Sequence, residues 1–205
     1  MTSREVVSAA DEKTLAATIA SRLVTALTEA QTAHGRDAGR DASAARASMV
    51  LTGGGIGAQA LAALATTPAL PGLDLGRLDV WWGDERFVAP DDPDRNDVQA
   101  LAALGGALDG ASLHPMGDNA SYPDADAAAA AYTDELRAAG GGTVPAFDVL
   151  LLGLGPEGHV ASIFPQSPAA RDRRPVFAVY DCPKPPPTRI SLGFGAIARA
   201  RQVWV

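Results

Sequence analysis

The chain has 205 residues, of which 47% are hydrophobic, a net charge of −7 and a pI near 4.9. This acidic balance argues against general binding to nucleic acid or to an anionic membrane, because both need a basic surface. A single cysteine, Cys182, excludes an intrachain disulfide framework and favours a reducing compartment. No signal-peptide core and no run of roughly 20 apolar residues is present. We therefore expect a cytoplasmic protein with one domain over residues 1–205.

Helical and strand patterns alternate along the chain. The predicted helices cover 11–33, 58–65, 97–104 and 124–139, and the predicted strands cover 49–52, 78–82, 113–116, 147–152, 176–180, 190–194 and 203–205. The polar segment 34–46 and the charged segment 83–96 are predicted to be loops. Strands separated by helices favour βαβ units. The expected fold is α/β and Rossmann-like, with a mainly parallel sheet flanked by helices on both faces.

The segment 147–165, FDVLLLGLGPEGHVASIFP, is the most informative part of the sequence. Its apolar run is typical of a buried parallel strand, and the glycine turn that follows delivers His159 to the start of a predicted helix. Ligands bind at this edge of open α/β sheets, and imidazole transfers protons near neutral pH. Glu157 could hold the imidazole in one tautomer. The alternative is that His159 caps a helix or fills a polar niche.

A glycine cluster, TGGGIG at 52–57, follows the first predicted strand. Its backbone N–H groups and the start of the next helix could cradle a phosphate, although the same glycines could form only a tight turn. The Gly-Lys-Ser/Thr of a Walker A loop is absent. Gly53, Gly55 and Ala58 satisfy the looser dinucleotide fingerprint, but Asp84 lies beyond the position about 20 residues on where an acid contacts ribose. Dinucleotide binding is therefore disfavoured.

The segment 81–96, WWGDERFVAPDDPDRN, places three charged residues directly after a predicted strand. The planar guanidinium of Arg86 suits a phosphate or carboxylate, and Asp84 or Glu85 could orient it. The alternative is a solvated charged loop. The carboxylates here do not have the spacing of an EF-hand loop, so no metal site is predicted.

The segment 182–189, CPKPPPTR, is a proline-rich approach to a predicted strand. Proline restricts the backbone, so Lys184 and Arg189 would be presented to an anionic ligand with little conformational freedom. The alternative is a connecting segment with incidental charges.

Taken together, these segments resemble the 6-phosphogluconolactonase family. The resemblance is carried by TGGG at 52–55, WGDERFVAPDDPDRN at 82–96, DVLLLGLGPEGHVASIFP at 148–165 and KPPPTRISL at 184–192. The turn G-x-G-x-[DE]-G-H followed by A-S-x-F-P is the most specific part. The resemblance implies hydrolysis of 6-phospho-D-glucono-1,5-lactone to 6-phospho-D-gluconate in the pentose phosphate pathway, with no cofactor and no metal.

The resemblance also implies roles for individual residues. His159 is implied as the general base that activates water, with Glu157 as its neighbouring carboxylate. The implied substrate- and phosphate-binding residues are Thr52, Gly53, Gly54, Gly55, Asp84, Arg86, Lys184 and Arg189. Backbone amides of 53–55 or 155–158 are candidates for stabilising the oxyanion.

Three features depart from the family pattern. The family commonly has aspartate where this chain has Glu157, and a hydroxyl residue in place of Gly55. Family members usually continue beyond the position of Val205 through another helix, so we expect this domain to lack the usual C-terminal end. The expected partner is a small phosphorylated sugar lactone, with neither nucleic acid nor membrane, and the expected state is a monomer or weak homo-oligomer.

Two alternative functions remain open. A glucosamine-6-phosphate deaminase-like isomerase shares the implied fold, but its histidine is followed by a sequence closer to A-F-N-E-P, whereas here V-A-S-I-F-P follows His159. From a different class, a non-catalytic sugar-phosphate sensor would bind 6-phosphogluconate without turnover.

Overall fold

A computed structural model describes residues 4–38 and 46–205. The helices in these ranges are α1 (Glu12–Ala38), α2 (Gly55–Thr66), α3 (Asn96–Leu104), α4 (Ala125–Ala139) and α5 (Phe194–Ile197). The strands are β1 (Ala47–Leu51), β2 (Leu78–Trp82), β3 (Asp84–Arg86), β4 (Ser112–His114), β5 (Val149–Leu151), β6 (Val176–Val179), β7 (Arg189–Leu192) and β8 (Gln202–Trp204).

Five strands form a parallel sheet in the order β4-β2-β1-β5-β8. The central strand β1 aligns Met49 with Val80 of β2 and with Val149 of β5. These three side chains are completely buried, as a strand covered on both faces requires. The prediction of an α/β protein with a mainly parallel sheet is confirmed, and the carboxyl ends of β1, β2 and β5 share one edge.

A second, antiparallel sheet has the order β3-β7-β6. β3 begins only two residues after β2 ends, so the chain passes from one sheet into the other through Gly83. The backbone N–H of Gly83 donates to the carbonyl of Leu51 at 2.9 Å, and its carbonyl accepts from Leu192 N–H at 2.9 Å. Gly83 therefore joins the two sheets beside the carboxyl end of β1.

The core lies between the parallel sheet and its helices. Leu23 and Leu27 of α1 are buried, and α1 packs against α2 and β1. On the face of the sheet that carries Trp81, Tyr132 of α4 meets the Trp81 ring edge-on with centroids 5.7 Å apart. The Tyr132 hydroxyl accepts a hydrogen bond from Trp82 N–H at 3.0 Å, which anchors α4 to the end of β2.

Three local predictions are wrong. His159 does not begin a helix, because residues 156–167 form a series of turns. After His159 the chain turns back, so that the Phe164 ring stacks on the imidazole. Ala161, at φ 49°, has a left-handed conformation that interrupts any helix. The segment 84–86, predicted as loop, is β3; a strand of three charged residues has no hydrophobic alternation to reveal it.

The third wrong prediction concerns residues 34–38 of the predicted loop 34–46. Residues 34–38 continue α1, and residues 39–45 lie outside the described ranges. Tertiary contacts hold this last helical turn, since His34 Nδ1 lies 2.7 Å from the carbonyl of Arg46 and Nε2 lies 3.2 Å from Asp148. The remaining predicted elements occur with boundaries shifted by up to three residues, and α5 was not predicted.

Candidate active site

Two loops meet at the carboxyl edge of the parallel sheet: the glycine loop (residues 52–55) after β1 and the histidine loop (residues 153–165) after β5. Thr52 Oγ1 accepts a hydrogen bond from Gly153 N–H at 3.1 Å. A Cβ placed on Gly153 would lie 3.6 Å from the carbonyl oxygen of Gly53. The two loops are therefore in direct contact.

His159 lies between Gly155 and Phe164. Its imidazole stacks on the Phe164 ring with centroids 4.2 Å apart and an interplanar angle of 23°. A Cβ on Gly155 would lie 1.9 Å from Cε1 of the imidazole, so only glycine leaves room for the ring. Gly155 N–H also donates to the His159 carbonyl at 2.9 Å, which closes the turn. The histidine side chain is 13% exposed and so retains contact with solvent.

Glu157 lies beside His159 and Lys184. Its Oε2 is 3.1 Å from His159 Nδ1, but the alignment is unsuitable for a hydrogen bond, and Nδ1 has no hydrogen-bond partner among the described residues. The same oxygen lies 3.0 Å from Lys184 Nζ. The hydrogen bond from Lys184 lowers the pKa of the exposed Glu157 carboxyl below its usual value. The fold thus brings together three residues from two separate sequence motifs.

Arg86 and Arg189 are directly opposite each other on β3 and β7. Side chains at opposed positions of an antiparallel pair project from the same face, and like charges placed in this way repel. Within residues 4–38 and 46–205, neither guanidinium forms a salt bridge. Arg86 donates from Nη1 to the carbonyl of Asp94, and its buried Nε has no partner in this part of the chain. The strand register therefore places two arginines opposite each other without a carboxylate partner for either in this part of the chain.

Arg189 also shapes the proline-rich segment. It is 4% exposed, and its Nε and Nη2 donate to the carbonyls of Pro186 and Lys184 at 3.1 and 3.0 Å. A guanidinium that bonds these carbonyls holds the segment in a defined path. This path places the Lys184 side chain beside Glu157 and the histidine loop.

Asp84 bonds to the protein itself. The residue is 6% exposed, and its Oδ2 accepts a hydrogen bond from Ser162 Oγ at 2.7 Å while its Oδ1 accepts from Asn96 Nδ2 at 3.2 Å. Asp84 therefore connects β3, the start of α3 and the histidine loop. Both oxygens of the carboxylate are thus engaged by donors of the protein itself.

Asn96 is a residue of the site that sequence reasoning missed. Its Nδ2 faces both the carbonyl and the carboxylate of Asp84, which fixes Oδ1 toward the glycine loop. A Cβ on Gly53 would lie 2.0 Å from this Oδ1, so the glycine permits the close approach. Asn96 Oδ1 is buried with no partner in the described part of the chain, in a recess beside Thr52 and Gly54.

Gly54 is the N-cap residue of α2 and has φ 92°, a conformation that glycine adopts without strain. Its carbonyl accepts from Ala58 N–H at 3.0 Å, so the helix starts immediately after the loop. The first N–H groups of α2, at Gly55 and Ile56, have no partner within the helix. The positive end of the α2 dipole therefore lies at the glycine loop.

The Glu85 carboxylate stabilises the start of α3. It does not bind the guanidinium group of Arg86. Its carboxylate accepts from the backbone N–H groups of Asn96 at 2.6 Å, Asp97 at 2.9 Å and Arg86 at 2.8 Å. The residue is completely buried. Burial, and then the nearby Asp97 carboxylate, raise the pKa of Glu85 to about 7. Glu85 thereby places Asn96 against the glycine loop.

Within residues 4–38 and 46–205, no three His, Cys, Asp or Glu side chains are grouped as a metal site would require. Nor does any helix in this part of the chain combine the length and apolar character that a membrane span needs.

The molecule combines a parallel α/β sheet, whose carboxyl edge carries the histidine loop and the glycine loop, with a small antiparallel sheet that pairs Arg86 with Arg189. This combination defines a class of α/β proteins. Residues 10–205 match the family described as glucosamine-6-phosphate isomerases/6-phosphogluconolactonase, and the chain belongs to this family. Within it, the chain belongs to the 6-phosphogluconolactonases. It is 47% identical to the 6-phosphogluconolactonase of Streptomyces coelicolor, over 95% of this chain and 74% of that protein.

Other relatives give the same result. The 6-phosphogluconolactonase of Mycobacterium tuberculosis is 44% identical over 95% of this chain and 77% of its own length. Among solved structures, a 6-phosphogluconolactonase from Shewanella baltica superimposes with a TM-score of 0.77 at 25% identity, covering 94% of this chain and 76% of that one. The enzyme from Trypanosoma brucei superimposes with a TM-score of 0.73 at 27% identity, covering 92% and 75%.

Proposed function

We propose that the protein hydrolyses 6-phospho-D-glucono-1,5-lactone to 6-phospho-D-gluconate, with His159 activating the attacking water. The activity is supported by relatives named 6-phosphogluconolactonase at 44–47% identity over 95% of the chain. The role of His159 rests on one observation in particular: in the loop that follows β5, the imidazole lies beside the Glu157 carboxylate, which also contacts the Lys184 ammonium group. The reaction belongs to the oxidative pentose phosphate pathway, and the protein is a carboxylic ester hydrolase.

The cations account for recognition of the phosphate. Arg86 and Arg189 repel each other across the strand pair, and a phosphate dianion between them would replace that repulsion by charge-assisted hydrogen bonds. Lys184 is 41% exposed and shares Glu157 with His159, so it can turn toward the phosphate while remaining near the imidazole. In a protein with a net charge of −7, this local cluster draws the anionic substrate to the site.

The chemistry follows from the orientation of His159. Its Nδ1 faces Glu157, which leaves Nε2 to accept a proton from water. The water oxygen bonds to the lactone carbonyl carbon, and the bond from that carbon to the ring oxygen then breaks. His159 returns the proton to the ring oxygen, which becomes a hydroxyl of the product. A general base contributes typically 10²–10⁴-fold, and a lactone is already a reactive ester, so no covalent intermediate is required.

The oxyanion formed on the carbonyl oxygen needs nearby N–H donors. In the histidine loop, the N–H groups of Gly153, Gly155 and Gly158 already donate within the protein. The N–H groups at the start of α2, beginning with Gly55, have no partner within the helix. This difference favours the glycine loop as the oxyanion site.

Replacement of His159 tests the mechanism. We expect His159→Asn to lower kcat by roughly 10²–10⁴-fold and to leave KM within a few-fold, because the base is removed while the cations remain. The measurement is stopped-flow hydrolysis of freshly generated phosphorylated lactone, with spontaneous hydrolysis subtracted and unphosphorylated gluconolactone as a second substrate.

His34→Asn is the matched control, since His34 is a partly buried histidine beside Asp148 at the amino end of the sheet. It should retain wild-type kcat. Turnover of the His159→Asn protein within twofold of wild type would exclude the base mechanism. A folded wild-type protein that binds 6-phosphogluconate without any turnover would favour the sensor alternative, and release of ammonia from glucosamine 6-phosphate would favour the deaminase-like alternative.

A further inference from the structure

The histidine loop contains a buried serine to which the proposed mechanism gives no part. Ser162 belongs to the A-S-x-F-P segment and is completely inaccessible to solvent. It lies in a tight turn between Val160 and Ile163, closed by a hydrogen bond from Ile163 N–H to the Val160 carbonyl at 2.9 Å. This turn directly follows His159.

Two hydrogen bonds attach Ser162 to the antiparallel sheet. Its Oγ donates to Asp84 Oδ2 at 2.7 Å, and its N–H donates to Ser191 Oγ at 3.2 Å. Asp84 and Ser191 are themselves directly opposite each other on β3 and β7. Ser162 therefore bridges the two strands at a single point.

The point at which Ser162 is attached, the Asp84–Ser191 pair, lies close to the proposed phosphate-binding arginines. The pair next along the same two strands on the same face is Arg86 and Arg189, because alternate residues of a strand share a face. Ser162 is thus attached one step away from the proposed phosphate cations, on the strands that carry them. The two hydrogen bonds of Ser162 thus join the histidine loop to the strand pair that carries these cations.

The other side of the turn determines where the imidazole lies. Two residues after Ser162, the Phe164 ring stacks on His159 at 4.2 Å. The Phe164 carbonyl is held by Ser167, whose Oγ donates to it at 2.7 Å. A turn pinned at Ser162 thereby fixes both the backbone that follows His159 and the ring beneath it.

We propose that Ser162 is a positioning residue for the hydrolysis, which holds the His159 imidazole at its working distance from the Arg86 and Arg189 cations through the Asp84 carboxylate. This inference rests on the proposed function. A reactive group displaced by about 1 Å loses as much as 10²-fold in rate. The Arg86–Arg189 pair belongs to the β3–β7 strand pair itself, not to the histidine loop, so the phosphate site keeps its affinity when that loop moves. Ser162 thus acts on kcat rather than on binding of the phosphorylated group.

The test uses the variant Ser162→Ala in the full chain. We expect kcat to fall by roughly 10- to 100-fold, with the affinity for 6-phosphogluconate within about threefold of wild type. Ser162→Cys, of nearly the same size, should recover part of the lost kcat because a thiol is a weak donor.

The matched control is Ser48→Ala. Ser48 Oγ also lies within hydrogen-bond distance of a buried aspartate, Asp148, at 3.2 Å, but at the amino end of the parallel sheet. It should lose comparable stability while its kcat stays within twofold of wild type. A kcat for folded Ser162→Ala equal to that of Ser48→Ala would overturn the proposal.

A second measurement does not depend on activity. The chain has three histidines, and the proton resonances of the His159 ring should be shifted by the ring current of Phe164. We expect this shift to be lost in Ser162→Ala and retained in Ser48→Ala. Unchanged His159 resonances would overturn the positioning role even if the wild-type protein were active, whereas an inactive wild type with the expected NMR change would overturn only the proposed function.

Discussion

At the scale of single residues, His159 has its position because a neighbouring glycine has no side chain. The imidazole occupies the space that a Cβ on Gly155 would need, at 1.9 Å from Cε1, and Phe164 closes the opposite face. Gly155 is therefore a steric requirement of the site. This differs from Gly158 in the same loop, where φ of 78° makes the backbone conformation the reason for glycine.

The substitution Gly155→Ala should displace the imidazole, because the new methyl group and the ring cannot occupy the same space. We expect kcat for the phosphorylated lactone to fall by at least about 10²-fold with the fold retained. Steady-state kinetics and circular dichroism check the two parts. Gly195→Ala is the control, since nothing lies within 4 Å of the added Cβ at that position, and its kcat should match wild type. Wild-type kinetics in Gly155→Ala would show that the ring is free to move.

At the scale of elements, one buried carboxylate on strand β3 positions the amino end of helix α3. Glu85 accepts three backbone N–H groups, two of them in the first turn of α3. Through this contact the helix holds Asn96 against Gly53 and against Asp84. A capping interaction supplied by a neighbouring strand therefore links the fold to the glycine loop.

The substitution Glu85→Ala should leave these buried N–H groups without an acceptor. We expect a loss of about 2–4 kcal/mol in the free energy of unfolding and a reduced kcat, because Asn96 loses its anchor. Urea unfolding and kinetics measure the two effects. Asp124→Ala removes an exposed cap from α4, where Oδ1 accepts from Ala127 N–H at 2.8 Å. This control should cost about 1 kcal/mol without altering kcat. Equal losses in the two variants would contradict the anchoring role of Glu85.

At the scale of the whole molecule, a histidine that has no part in the proposed chemistry links pH to stability. His114 of β4 stacks on Trp81 at 3.8 Å and contacts Glu135 of α4 at 2.6 Å and Asp79 of β2 at 3.2 Å. Burial opposes the charge, but the hydrogen bonds to Asp79 and Glu135 outweigh it and raise the pKa of His114 above its usual value. Arg46 adds a second cation on Asp79.

A raised pKa in the folded state means that folding favours protonated His114. This stabilisation is fully present below the unfolded pKa of about 6.5 and is lost as pH rises through the folded value. We therefore expect His114→Gln to be more destabilising at about pH 6 than at about pH 9. Urea titrations of both proteins at the two pH values measure the difference. An equal loss at both would show that His114 is not charged in the fold.

The sequence by itself determined the α/β class, the parallel sheet and the motifs of the site. Apolar runs, glycine turns and helical periodicity are local properties, so the strand 78–82 was predicted with its observed bounds and His159 was placed at the correct edge of the sheet. The order and chemistry of the four motifs were sufficient to indicate the family, which the comparisons confirm.

Only the tertiary structure decided how those motifs are held together. Whether Arg86 faces Arg189, and whether Asp84 meets Ser162, depends on strand register between segments about 80 to 100 residues apart, which no local pattern records. The histidine loop was predicted to begin a helix because apolar residues recur after His159 in the sequence. In the structure the same residues are buried by a series of turns. Charged residues such as Glu85 looked like a solvated loop, since their burial follows from hydrogen bonds supplied by other elements.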